Sequence, residues 1–183
     1  MIDAKKIEKE LNNVPEGGIT LIETNVENSN ELNLAVIKVL TVKNYYGLIL
    51  SASRPYANLI SFYKKNNINT EKLFFLDCVS KSETKNKENT NNVLYIENLS
   101  DLTHILISID EIVKKIKSKY IVIDSINTML IHNKAEVFAR FLHSLMTKLR
   151  LNLVNGLFIS FEDEKNKEIR AEIAQLCDKV IKV

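Results

Sequence analysis

Short apolar runs recur along the chain at residues 19–23, 47–51, 73–76, 93–96, 120–123, 156–161 and 179–183, several of them without a polar interruption. A strand wetted on one side alternates polar and apolar residues. A run such as LFFL at 73–76 or YIVI at 120–123 needs both faces covered. Segments with helical spacing lie between the runs. Leu32, Val36, Val39 and Leu40 share one face of a predicted helix ending near Lys43, and Leu59, Ile60, Phe62 and Tyr63 follow Pro55. LTHILISIDEIVKKIKS follows the possible caps Ser100 and Asp101, with lysines in its last turn opposing the helix dipole. Val137, Phe138, Phe141, Leu142, Leu145 and Leu149 mark a strong helix over 135–149, and a further helix is predicted over 165–176. Strand and helix in repeated alternation predict a three-layer αβα, α/β fold around a mainly parallel sheet. The 183 residues suffice for one domain with a full core.

Residues 14–40, VPEGGITLIETNVENSNELNLAVIKVL, are the centre of this plan. Pro15, Gly17 and Gly18 end a short amphipathic helix predicted within 1–13, read as a surface helix or an adaptor arm, and launch a buried strand. A polar loop and an apolar-faced helix follow. A strand, a loop and a helix N-terminus are the frame of a phosphate-binding loop, in which glycines let backbone amides wrap the anion, a lysine reaches the terminal phosphates and a hydroxyl meets Mg²⁺. The loop from Thr24 to Glu31, TNVENSNE, has no glycine, no lysine and no terminal hydroxyl. The frame is present and its usual chemistry is missing.

Other features narrow the function. The net charge of +2 does not suggest a nucleic-acid surface, and the segment MIDAKKIEKEL is charged rather than apolar. No apolar run approaches the roughly 18 residues of a membrane span, so a cytoplasmic location is expected. Cys78 and Cys177 have no metal-ligand spacing and read as buried, reduced thiols. Residues 81–92, KSETKNKENTNN, predict a mobile polar loop. His104, His132 and His143 lie too far apart in sequence to suggest a catalytic arrangement. Asp124 and Ser125 end the strand at 120–123; they read as a remnant metal site or as a helix N-cap, the cap being favoured. Arg54 reads as a surface ion pair rather than an anion contact, and the acidic residues 162–164 as a solvated loop rather than a partner site.

Taken together, VPEGGITLIE, YIVIDS, LNLVNGLFISFEDE and CDKVIKV resemble, in order and spacing, segments of the RecA superfamily and of its KaiC-like branch of archaeal and bacterial ATPase domains. The resemblance covers nearly the whole chain and implies a P-loop NTPase fold. It puts the loop glycines of that family at Thr24, Glu27 and Ser29, the phosphate lysine at Asn30 and the Mg²⁺ hydroxyl at Glu31. It gives the catalytic glutamate no counterpart within 51–54 and leaves Asp124, followed by Ser125, as the remnant of the second nucleotide motif. Glu31 would set negative charge beside triphosphate without the offsetting lysine. The expectation is a non-catalytic, pseudo-ATPase domain without cofactor, metal or catalytic residues, acting as a protein-interaction or regulatory module. Its partner would be an active ATPase of the same superfamily or a second copy of the chain. The alternative is an ATPase with an unconventional loop, in which ATP and Mg²⁺ are cofactors and Asp124 serves the metal. A weaker one is single-stranded nucleic-acid binding through Tyr45, Tyr46, Tyr56 and Tyr63 among Lys43, Arg54, Lys64 and Lys65.

Overall fold

The apolar runs become strands β1 (Ile19–Thr24), β2 (Gly47–Ser51), β3 (Leu73–Asp77), β4 (Val93–Tyr95), β5 (Tyr120–Asp124), β6 (Asn155–Phe161) and β7 (Lys179–Lys182). The structure, a computed structural model, describes residues 2–80, 90–163 and 166–183. The strands form one seven-stranded sheet in the order β4-β3-β2-β5-β6-β1-β7, every neighbouring pair parallel. The predicted α/β architecture is therefore present, and the sheet is parallel throughout its described strands.

Helices cover both faces because neighbouring residues of each buried strand point to opposite sides. On one face, Ile22, Ile49, Phe75 and Val122 meet α1 (Ala4–Asn12), α2 (Ser29–Val42) and α3 (Tyr56–Lys65). On the other, Leu21, Leu50, Leu76, Ile123 and Phe158 meet α4 (Leu102–Ile116), α5 (Ile126–Ile131), α6 (Ala135–Leu151) and α7 (Lys167–Leu176). Phe138 and Phe141 stack at 5.9 Å in that second layer. A fully buried side chain of this size contributes about 1.5–3 kcal/mol. Gly47 is required by packing: the Tyr120 ring occupies the space a β-carbon there would need.

Several expectations shift in detail. The N-terminal helix buries Ile7 and Leu11 and is tied at both sides: Ile2 N donates to Glu31 at 2.8 Å, Lys6 Nζ donates to Lys182 O, and Lys179 pairs with Glu10. It is thus fixed to the α2–β7 corner, and that pairing with Lys179 holds the Glu10 carboxyl below its ordinary range. Helix α5 was not foreseen as a separate element, since the six residues INTMLI are too few for a helical period to stand out. The final helix starts at Lys167 rather than at 165. Most of the predicted polar loop, 81–89, lies outside the described residues. No helix among the described residues is long and apolar enough to cross a membrane.

Candidate functional site at the mouth of the sheet

In the strand order, β1 and β2 are separated by β6 and β5, so the chain leaving β1 must pass over two strands before pairing again. The carboxyl ends of these four strands lie side by side at this reversal, where open parallel sheets place their ligand sites. Thr24, Ser51, Asp124 and Phe161 end them.

The loop after β1 closes on itself. Asn25 is the N-cap of a 3-10 turn over Val26–Asn28; its Oδ1 accepts from Asn28 N at 3.0 Å, and Ser29 N donates to Val26 O. Two amides that an anion-binding loop would direct at phosphate are therefore used inside the turn. Thr24 is buried and its Oγ1 has no hydrogen-bond partner. Ser29 opens α2, Asn30 is exposed, and Glu31 accepts the Ile2 amide.

Asp124 is only 3% exposed, and its Oδ2 accepts from Asn33 Nδ2 of α2 at 2.8 Å. Burial pushes the Asp124 carboxyl above its ordinary range, against the opposing pull of the Arg54 guanidinium and of the Asn33 hydrogen bond. Tyr63 belongs to the same buried group; its hydroxyl and Asn33 Oδ1 have no hydrogen-bond partner, and burial with the nearby Asp124 charge raises the phenol. Ser125 is the N-cap of α5, accepting from Thr128 N. Arg54 lies over the Phe62 ring at 5.6 Å, a cation–π contact, and has no ion pair among the described residues.

Polar side chains also fill both flanks of the mouth. Asp77, at the end of β3, accepts from Tyr56 N at 2.7 Å, Val79 N, Ser80 N and Ser80 Oγ. Asn127 of α5 donates to Phe161 O and Asp163 Oδ2 and accepts from Phe161 N and Ser160 Oγ. Asp163, far from being a free acidic group, also accepts from Asn166, and these bonds hold its carboxyl below the ordinary range. Glu23 is 3.7 Å from Arg170 and 3.4 Å from Lys182. A shallow cleft of about 330 Å³ remains there, lined by Glu23, Glu162, Asp163, Lys167, Arg170 and Lys182.

Asn33, Asp77 and Asn127 are the organising residues that sequence reasoning missed. Asp77 alone had a readable signal, a charged residue directly ending a buried run. Elsewhere the chemistry is quiet: burial raises both thiols, Cys78 being fully enclosed and Cys177, only half-buried, pushed up to about 12. Among the described residues no three His, Cys, Asp or Glu side chains converge as a metal site.

A parallel sheet with this reversal has many relatives, and comparison with known proteins selects among them. The family description that matches is the KaiC ATPase, over residues 56–183. The chain belongs to this family. The matched span begins at the first residue of α3 and leaves β1, its loop, α2 and β2 outside. Comparison with curated proteins gives no match. Among solved structures, the flagellar accessory protein FlaH of Methanocaldococcus jannaschii aligns at TM-score 0.65 and 14% identity, covering 100% of this chain and 78% of FlaH. The KaiC-like protein PH0186 of Pyrococcus horikoshii aligns at TM-score 0.59 and 17% identity, covering 81% of this chain and 65% of that protein. At these identities the likeness is one of fold. The RecA/KaiC-like P-loop NTPase architecture expected from the sequence is the architecture found.

Proposed function

We propose that this chain is a pseudo-ATPase of the KaiC family, a domain that keeps the fold, has given up the nucleotide and works by binding another protein. The observation that carries the reading is the state of Asp124. This residue would hold Mg²⁺ through water in a working site. Here it is buried and bound to Asn33, a side chain from the helix that ought to carry the phosphate lysine. A magnesium–triphosphate would have to break that hydrogen bond and recharge a carboxyl whose burial favours the proton. Glu31 adds a negative charge in the first turn of α2, and the loop amides of Asn28 and Ser29 are turned inward. The residues of the mouth do not fit Mg²⁺-ATP. The start of the family match at residue 56, beyond the whole phosphate-loop region, supports the same reading.

Equilibrium dialysis against labelled ATP with Mg²⁺, up to millimolar nucleotide, tests it. No saturable retention is expected. Stoichiometric, Mg²⁺-dependent retention would make the domain a nucleotide-binding ATPase with an unconventional loop. For the protein-binding half of the reading, the partner of interest is an active ATPase of the same fold or a second copy of this chain. Subunits of this superfamily assemble side by side, and a subunit without a site of its own can still occupy such a place.

A further inference from the structure

A second cleft lies at the amino ends of the strands, opposite the mouth. Its volume is about 240 Å³, and it opens between the end of α1, the end of α2 and the first residues of β1, β5 and β6. Its floor is Leu11, Leu40, Tyr120 and Leu157, all buried, and its rim carries Lys43 and Lys119. A dry cavity of about 150 Å³ is enough for benzene, so this one has room for a single aromatic side chain.

The surface around the cleft has the character of an interface. Val42 is 75% exposed, Tyr45 52% and Tyr46 47%, all between residues 42 and 46. The charges beside it are mainly positive. Lys43 has no ion-pair partner among the described residues. Lys119 faces Glu16 at 3.6 Å, but both side chains are more than half exposed, so the pair is weak. Lys72 stands over the Tyr46 ring at 5.5 Å. An apolar pocket, exposed tyrosines and a lysine rim together call for a ligand with one apolar anchor among negative charges.

We infer that this cleft, at the end of the sheet remote from the nucleotide mouth, is the docking site for an acidic segment of a partner protein that inserts one aromatic side chain between Leu40 and Leu157. This rests on the protein-binding reading given above and assigns it a surface. A protein segment is favoured over single-stranded nucleic acid because the cleft accepts one anchor rather than a series of stacked bases.

The probe is a fluorescein-labelled nonapeptide with a central phenylalanine between two runs of four aspartates, followed by anisotropy at physiological salt. The Phe-centred peptide is expected to bind saturably, and the Ala-centred peptide at least tenfold more weakly. The double variant Lys43→Glu/Lys119→Glu, in which both residues are on the rim and outside the core, is expected to weaken binding at least tenfold while its circular dichroism and melting stay those of the parent. Equal binding of the two peptides, binding unchanged in the double variant, or no binding at all would overturn the inference. So would a labelled oligo(dT) that binds more tightly than the peptide and is lost in the same variant, which would assign the face to nucleic acid. Retention of Mg²⁺-ATP at the mouth would remove the pseudo-ATPase reading and leave these peptide outcomes readable on their own. Loss of peptide binding without ATP retention would strike only this surface.

Discussion

The two ends of the sheet are opposites. At the carboxyl end, where relatives of this fold keep their ligand sites, Asp77, Asp124, Asn127 and Glu31 are engaged by hydrogen bonds from within the chain. At the amino end an apolar floor lies open under Lys43 and Lys119. Polar groups that satisfy one another are expensive to disturb, since removing one partner leaves the other buried and unpaired. Exposed groups around an open cleft have little to lose on folding and are available for binding. A polar network thus occupies the carboxyl end, where the buried Thr24 Oγ1, Asn33 Oδ1 and Tyr63 hydroxyl stay without a hydrogen-bond partner, and the cleft with the apolar floor lies at the far end.

Substitutions at the two ends should separate in the same way. Asp77→Ala would leave the amides of Tyr56, Val79 and Ser80 without their acceptor and is expected to cost about 3 kcal/mol in urea unfolding. Asn33→Ala removes the only hydrogen-bond donor to the buried Asp124 side chain among the described residues and should cost about 2 kcal/mol at neutral pH. Costs near zero for both would break the contrast by making the mouth as tolerant as the base.

Asp124→Asn acts in the other direction. A carboxyl whose pKa is raised by folding stabilises the native state below its unfolded pKa, and that contribution is lost as pH rises through the raised folded value. The amide removes this loss and keeps an acceptor for Asn33. Melting curves across pH should therefore find the variant more stable than the parent in neutral to alkaline solution, with the difference fading in acid. A variant destabilised at every pH would mean that the ionised carboxylate is needed in the fold. The smallest effect is expected at the amino end, where Lys43→Glu should change stability by no more than about 0.5 kcal/mol in either direction.

The sheet was legible because a parallel strand covered on both sides leaves an uninterrupted apolar run, and β2, β3 and β5 are such runs. The long helices α4 and α6 were legible through periods sustained over several turns. Helix α5 was hidden because its six residues are too few to show a helical period. The candidate site was legible only in what it lacks, since the missing lysine and glycines of 24–31 are local facts of sequence. What replaced them was not, because the Asn33–Asp124 bond joins residues 91 positions apart and neither residue announces the other. The amino-end cleft is likewise assembled from α1, α2 and three strand starts, and no single stretch of the chain carries its pattern.

The most direct test of the central claim is thermal unfolding of the protein with and without millimolar ATP and Mg²⁺. A ligand at 100 times its Kd adds about 2.7 kcal/mol to the stability of the state that binds it, a shift of several degrees for a domain of this size. The pseudo-ATPase reading predicts coincident curves. A Mg²⁺-dependent rise in Tm that disappears in Asp124→Ala would contradict it, and would establish that Asn33 yields its place on Asp124 to the metal.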